Sequence, residues 1–386
     1  MIIDNLSIII ATTLVVLAIL SVLTSPLIKA HKALSDNSFD DDIKNKETES
    51  KTSSPNISII IPAHDNSYEL EHNLPSFLSQ QYDANYKVIV VADKGDTETE
   101  DLLKRMASPH LYSTYLPLSS RYMSRTKLAI TIGIKAAESE WVIVCSPYCK
   151  PINNNWLKSV ALQLGDENLA MGYMKMDEST KAYRRFEHIF MGHIMFNSAL
   201  KQKAWGTNMS FVAIRKSIFI ENNGFLGNLQ LIRGEYDFLV NKYGSSTKAI
   251  LSPSTWLLEE ELSDREWKNR HSYFQASRQL LHNVATSRIK LFFYHLLLHT
   301  TLLAPIAAGC IAGMMHNWIV LGAAGVALLT NIIAHTCLAA REIHRVDEGI
   351  STPMLYLYQL SLLWHSIGYR IHYLMADKTD FTSHKL

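Results

Sequence analysis

Three long runs without a charged residue constrain this chain most: Leu6 to Ile28, Leu291 to Met315 and Trp318 to Ala340. A hydrocarbon core is crossed by about 20 apolar residues in a helix, because a helix satisfies its own backbone N–H and C=O groups where water cannot. Each run is long enough. The last two are separated only by His316 and Asn317, so together they read as a transmembrane hairpin. No basic stretch precedes the first run and no clear small-residue cleavage site follows it, so it reads as a retained anchor and not a removed leader. Lys29 and Lys32 follow the first run, Arg288 and Lys290 precede the second, and Arg341 and Arg345 follow the third. Positive charge marks the cytoplasmic side of a span, so all three runs agree on one topology: first residues outside, the stretch between the first and second spans inside.

The intervening sequence has a different character. Ser35 to Pro55 is rich in Asp, Lys, Glu, Ser and Thr and nearly devoid of apolar residues, which predicts a solvated linker. Beyond it, Ile57-Ser-Ile-Ile-Ile-Pro-Ala63 is a short β-branched run of the kind that forms a strand buried on both faces. Leu70, Leu74, Phe77 and Leu78 then recur at helical spacing, and Lys87 to Asp93 is a second apolar strand ending on a carboxylate. Helices are expected over Glu98 to Met106 and Lys127 to Ala137, and strands over Leu111 to Leu116 and Trp141 to Cys145. Alternation of this kind builds a mostly parallel, doubly wound α/β sheet. Ligands of such sheets sit beyond the carboxyl ends of the strands, here at Ala63 to Asn66, Asp93 to Asp96 and Ser146 to Cys149. The organisation expected is therefore an anchor over 1–32, a linker over 33–55, an α/β domain over 56–290, a hairpin over 291–340 and a cytoplasmic or interfacial tail over 341–386. In that tail, Met354 to Arg370 is aromatic-rich but broken by polar residues, and an interfacial helix fits it better than a fourth span.

Several classes are excluded early. Cys145, Cys149, Cys310 and Cys337 show neither zinc spacing nor a disulfide framework, which suits a domain facing a reducing compartment. The formal charge is +1 and the basic residues lie beside spans or scattered, so nucleic-acid binding has no footprint. His64-Asp-Asn-Ser67 lacks the glycines of a phosphate loop, which argues against a nucleotidyltransferase on a similar sheet.

Ser58 to Asp65, Val90 to Asp93 with Gly95-Asp96, and Lys127 to Ala137 together resemble the N-terminal half of family 2 glycosyltransferases of GT-A fold. The likeness continues through Gly206-Thr-Asn-Met209, Asn223-Gly-Phe225 and Gly234-Glu-Tyr-Asp237, so it covers roughly Ile57 to His271. The resemblance implies a nucleotide diphosphate sugar as donor, with Pro62, Ala63 and Asp65 against the nucleotide and Asp93 near its base or ribose. It also implies an inverting displacement onto a hydroxyl of a lipid-linked or cell-surface polysaccharide acceptor, carried out at the inner membrane by a cytoplasmic domain. The spans would hold that domain where lipid-borne substrates lie. Three spans are few for a polymer conduit, which favours addition of one or a few sugars over processive synthesis.

Such a transfer needs charge compensation on the departing diphosphate and a base for the acceptor hydroxyl. Members of the resembled family follow the fourth strand with Asp-any-Asp, which holds Mg²⁺ or Mn²⁺; here the aligned residues are Ser146, Pro147 and Tyr148. A hydroxyl and a phenol are poor ligands for a hard cation, so the metal is left undetermined. Three readings stay open: neutralisation by Lys94, Lys127 or Lys150; a metal held in another way, with His271 a candidate ligand; or a domain that no longer catalyses and serves as a membrane scaffold. The loop between Pro147 and Pro151 is sharply turned in any of them. The resemblance puts the base at Glu235 or beside it. Since the neighbour is Tyr236, Glu235 or Asp237 must serve, with Glu235 slightly preferred, at a helix start that stabilises a carboxylate. Asn208 is expected to orient donor or acceptor. Arg265-Glu-Trp-Lys-Asn-Arg-His271 resembles the basic, Trp-containing segment placed over diphosphate or acceptor, with Trp267, Arg270 and His271 as its candidates. A solvated basic helix near an anionic membrane is the plainer reading of the same residues.

Overall fold

The computed structural model describes residues 5–28, 54–117, 123–208 and 211–382. Most of the expected linker, Lys29 and Lys32 of the topology argument, and Met209 lie outside the described residues.

The described chain opens with helix α1 (Asn5–Leu23). The α/β part begins at β1 (Ile57–Pro62), all six residues of which are buried, and continues through α2 (Ser67–Leu78), β2 (Tyr86–Asp93), α3 (Thr97–Arg105), β3 (Leu111–Leu116), α4 (Arg125–Ala136) and β4 (Trp141–Val144). β5 (Cys149–Pro151), α5 (Trp156–Gln163), β6 (Leu169–Met171) and β7 (Met174–Met176) follow. Then come α6 (Ala182–Ala199), β8 (Val212–Arg215), α7 (Lys216–Glu221), α8 (Glu235–Lys242), β9 (Thr247–Ala249), β10 (Leu257–Glu259) and α9 (Asp264–Arg278). Three long helices close the chain: α10 (Ala285–Met314), α11 (Trp318–Ile343) and α12 (Leu355–Met375).

The main sheet has seven strands in the order β3-β2-β1-β4-β8-β6-β9. β3, β2, β1 and β4 run parallel, β8 is antiparallel to both β4 and β6, and β9 is parallel to β6. This is the mixed, mostly parallel α/β sheet that the strand and helix alternation predicts. A second sheet, β5-β10-β7, joins short segments far apart in sequence and has no periodic signature of its own. Helix α4 lies close on the main sheet because Gly133 has no side chain: a Cβ there would stand 2.5 Å from Ile60 Cγ2. Below the sheet, Trp156 is fully enclosed between Phe77 and Phe211, its rings edge-on to theirs, and its Nε1 donates to Thr255 O at 2.8 Å. Aromatics of this size dominate core burial, and an enclosed indole usually finds an acceptor for its N–H.

The chain divides into two compact units. One holds residues 32–180, 195–282 and 369–386, and contains both sheets. The other holds residues 1–31, 181–194 and 283–368. In this second unit, Leu14 and Ala18 of α1 pack on Ala324 and Ala327 of α11, small residues that let helix backbones approach closely. Polar groups tie the same pair: Ser21 Oγ lies 2.9 Å from His335 Nε2, and Arg341 donates to the carbonyls of Leu27 and Ile28. Arg185 pairs with Asp347 at 2.9 Å, both buried, and Phe186 and Phe190 of α6 pack on Tyr358 and Tyr294. Ile9, Ile19, Phe293, Leu303, Leu329 and Ile333 are exposed, the pattern of helices solvated by lipid. Among the described residues, α1, α10 and α11 are long and apolar enough to cross a membrane.

Candidate active site

The carboxyl ends of β1, β2 and β4 open into a cleft of about 390 Å³. Strand ends line it with Pro62, Ala63 and His64, with Asp93, and with Ser146, Pro147 and Tyr148. Arg125 and Thr126 from the first turn of α4, Arg233, Glu235 and Tyr236 around the start of α8, Glu259 of β10, and Glu266, Asn269, Arg270 and Tyr273 of α9 complete the wall.

Asp93 ends β2 and is nearly buried. Its two oxygens share the Arg125 Nε–H, at 2.8 and 2.9 Å, and the carboxylate accepts a further hydrogen bond from Arg125 Nη2 and a short contact from His64 Nδ1. Its oxygens are thus held by Arg125 and His64 before any ligand arrives. The loop after β4 is fixed along its backbone. Asn73 Nδ2 donates to Pro147 O at 3.0 Å, Glu260 N to Tyr148 O at 3.2 Å, and Tyr148 N to Ser146 Oγ at 3.3 Å.

Gly234 precedes α8 in a left-handed conformation with φ of +94°, which glycine adopts without cost. The turn delivers Glu235 into the cleft 2% exposed. Its Oε1 is 3.9 Å from Arg233 Nη1, and its buried Oε2 meets no hydrogen-bond donor. Burial pushes the phenol of Tyr236 well above its usual range, and Glu235 beside it adds to the shift. Arg270 forms a two-pronged pair with Glu259, its Nη1 donating to Oε2 at 2.8 Å and its Nη2 to Oε1, with side-chain exposures of 11% and 2%.

Of the residues singled out in the sequence, Pro62, Ala63, Asp93, Ser146, Tyr148, Glu235 and Arg270 line this one cleft. The others lie elsewhere. Asp65 is exposed at a left-handed turn, with φ of +53°. Lys127 is fully enclosed, its ammonium turned to Asn228 O, Asn228 Oδ1 and Leu231 O at 2.5 to 2.9 Å. Asp237 is buried one residue beyond Tyr236, accepting from Thr207 N at 2.7 Å and lying 3.4 Å from Arg278 Nε. Burial raises its pKa, and Arg278 opposes the rise. Asn208 is buried outside the cleft lining. Trp267 Nε1 donates to Tyr369 OH at 2.9 Å, and the His271 ring stacks on Tyr369 with centroids 3.9 Å apart.

Sequence reasoning missed Arg125, Arg233 and Glu259. The first two each carried a signal, a basic residue at the start of a helix facing the crevice of a parallel sheet. Glu259 carried none, because a three-residue strand far from its partners has no readable pattern.

The donor set does not fit a divalent metal. Ser146 and Tyr148 offer neutral oxygens, Asp93 and Glu259 are taken by arginines, and among the described residues no group of three or more His, Cys, Asp or Glu is placed to hold an ion.

No curated protein matches the chain. Among solved structures it is similar to the mannosyltransferase PcManGT from Pyrobaculum calidifontis in complex with GDP-Man and Mn²⁺. The identity is 14%, 93% of this chain and 98% of that one are covered, and the TM-score is 0.46. It is also similar to S. aureus TarS 1-349 in complex with UDP-GlcNAc, at 14% identity over 80% of this chain and 92% of that one, with a TM-score of 0.42. The sequence profile that matches is that of glycosyl transferase family 21, over residues 13–225, more than half of the 386. This corrects the family number: motifs shared across GT-A enzymes resembled family 2 because strand ends and turns are common to the fold. The chain belongs to glycosyl transferase family 21 and is a glycosyltransferase that uses a nucleotide-sugar donor.

Proposed function

We propose that the protein is an inverting, non-processive glycosyltransferase of the inner membrane, with its α/β unit cytoplasmic and a hydroxyl of a lipid-linked or cell-surface polysaccharide as acceptor. The observation that carries this reading is Glu235, a carboxylate of the cleft lining whose buried Oε2 meets no hydrogen-bond donor. A hydroxyl of the acceptor is the group that would supply one. In the reaction Glu235 takes the hydroxyl proton while the acceptor oxygen forms its bond to the anomeric carbon. The bond from that carbon to the diphosphate breaks on the opposite face, and its electron pair leaves with the nucleoside diphosphate. Asp237, bound by Thr207 and Arg278, acts as a support for the loop at Gly206 to Asn208 and not as the base. The three apolar helices support membrane attachment, and the few basic residues at their ends support the orientation.

Substituting Glu235→Gln removes the base and keeps the shape. Turnover, read as nucleoside diphosphate release from UDP-, GDP- and dTDP-sugars in proteoliposomes of bacterial total lipid, is expected to fall about 10²–10⁴-fold. Nucleotide affinity is expected to stay within about twofold. Unchanged function in the cell with Gln at 235 returns the scaffold reading, which the loss of the Asp-any-Asp carboxylates favours.

A further inference from the structure

The cleft has lost the carboxylates that hold a metal on the diphosphate, so something else has to carry that charge. We propose that the donor diphosphate binds here without a divalent metal, held by the guanidinium groups of Arg233, Arg125 and Arg270 with the hydroxyls of Ser146 and Tyr148 as further donors. This rests on the nucleotide-sugar reading above.

Four carboxylates line the cleft, and three of them are bound. Asp93 is bound by Arg125 and His64, and Glu259 by Arg270. Glu266 accepts from Ser263 N and Ser263 Oγ at the start of α9, a closed capping box. Glu235 stands beside Arg233. A hard cation recruiting Asp93 or Glu259 would have to strip an arginine of its partner, and one recruiting Glu266 would open the capping box, which leaves Glu235 as the one cleft carboxylate open to it, too few for a hard cation.

The arginines, in contrast, keep capacity to donate. A guanidinium has five N–H groups and stays charged at every relevant pH. Arg125 uses Nε and Nη2 on Asp93, and Arg270 uses its two terminal nitrogens on Glu259, so each retains N–H groups for a phosphate oxygen. Arg233 is the least engaged. Its Nη1 lies 3.4 Å from Thr126 Oγ1 and 3.9 Å from Glu235, and its side chain is 43% exposed. The pairs also fix the planes of Arg125 and Arg270 before ligand arrives, which lowers the ordering cost of binding. Ser146 Oγ accepts the N–H of Tyr148 and keeps its own hydrogen for a ligand oxygen.

The test is calorimetric titration of UDP, GDP and dTDP into the detergent-solubilised full chain, once in EDTA and once in Mn²⁺, with Arg233→Gln and Arg233→Lys beside the parent. A cooperative melting transition for each variant shows that it is folded. The expected result is one nucleotide whose affinity in EDTA lies within about threefold of that in Mn²⁺. That affinity should weaken at least tenfold in Arg233→Gln under both conditions and recover in part in Arg233→Lys. Binding that rises tenfold or more with Mn²⁺, or that Arg233→Gln leaves unchanged, overturns the proposal while keeping the nucleotide-sugar reading. No binding of any nucleotide by folded protein, with or without metal, overturns both.

Discussion

Lys127 shows how one residue can serve the site without touching it. Its ammonium is enclosed and bound to Asn228 and Leu231, which pins the segment leading to Arg233 and Glu235. Burial lowers its pKa from the ordinary lysine value of 10.5 to about 8, with Glu235 opposing the shift. Below about pH 8 both folded and unfolded chains hold the proton and this group adds no pH dependence. Between about 8 and 10.5 the unfolded chain binds more protons, so stability rises with pH there, by up to about 1.4 kcal/mol per unit. Lys127→Met should abolish that slope, which thermal melts of parent and variant across pH 7.5 to 10.5 will read. The sequence carried the clue to this burial: Lys127, Ile130 and Ile134 share one helical face, and a face bearing two isoleucines turns to the core. What it did not carry was the long-range pairing, since nothing in residues 93 and 125 taken separately announces that they meet. Glu235 was legible because its neighbours form a local motif. Arg233 stood two residues away, in the same motif, and was passed over.

At the scale of elements, the strands that build the floor of the cleft were readable, because β4 is an unbroken apolar run and β1 is apolar but for Ser58, the composition of a parallel strand buried on both faces. Helix boundaries fell within two residues of expectation for the same reason, as with α3 and α4. The second sheet was not readable, since its three-residue strands are held by tertiary pairing and not by propensity. The turn into α8 makes a sharp prediction. A Cβ on residue 234 would stand 2.5 Å from Ser277 Cβ, in a conformation that L-residues avoid. Gly234→Ala is therefore expected to cost about 1–3 kcal/mol in chemical denaturation. It should also cut turnover beyond that loss, because α8 and α9 must part and Glu235 moves with α8.

For the molecule as a whole, apolar patterning fixed the number of long apolar helices among the described residues, while the direction of insertion rests on a few basic side chains. An epitope tag ahead of Met1 is expected to be cleaved by protease added outside right-side-out vesicles, with the α/β unit protected until detergent is added. Digestion of the α/β unit in intact vesicles, with the tag spared, would reverse the assigned orientation. Within the unit that holds both sheets, the loop Ser146 to Tyr148 is anchored at its two ends by different layers: β4 in the main sheet leads in, and β5 in the small sheet leads out. Its ties to Asn73 and Glu260 also run through main-chain carbonyls. The shape of this corner consequently depends mainly on its main chain, with Ser146 Oγ adding one side-chain tie. Its outward side chains can therefore change, as a tool takes a different bit in the same chuck, while the architecture around them stands still.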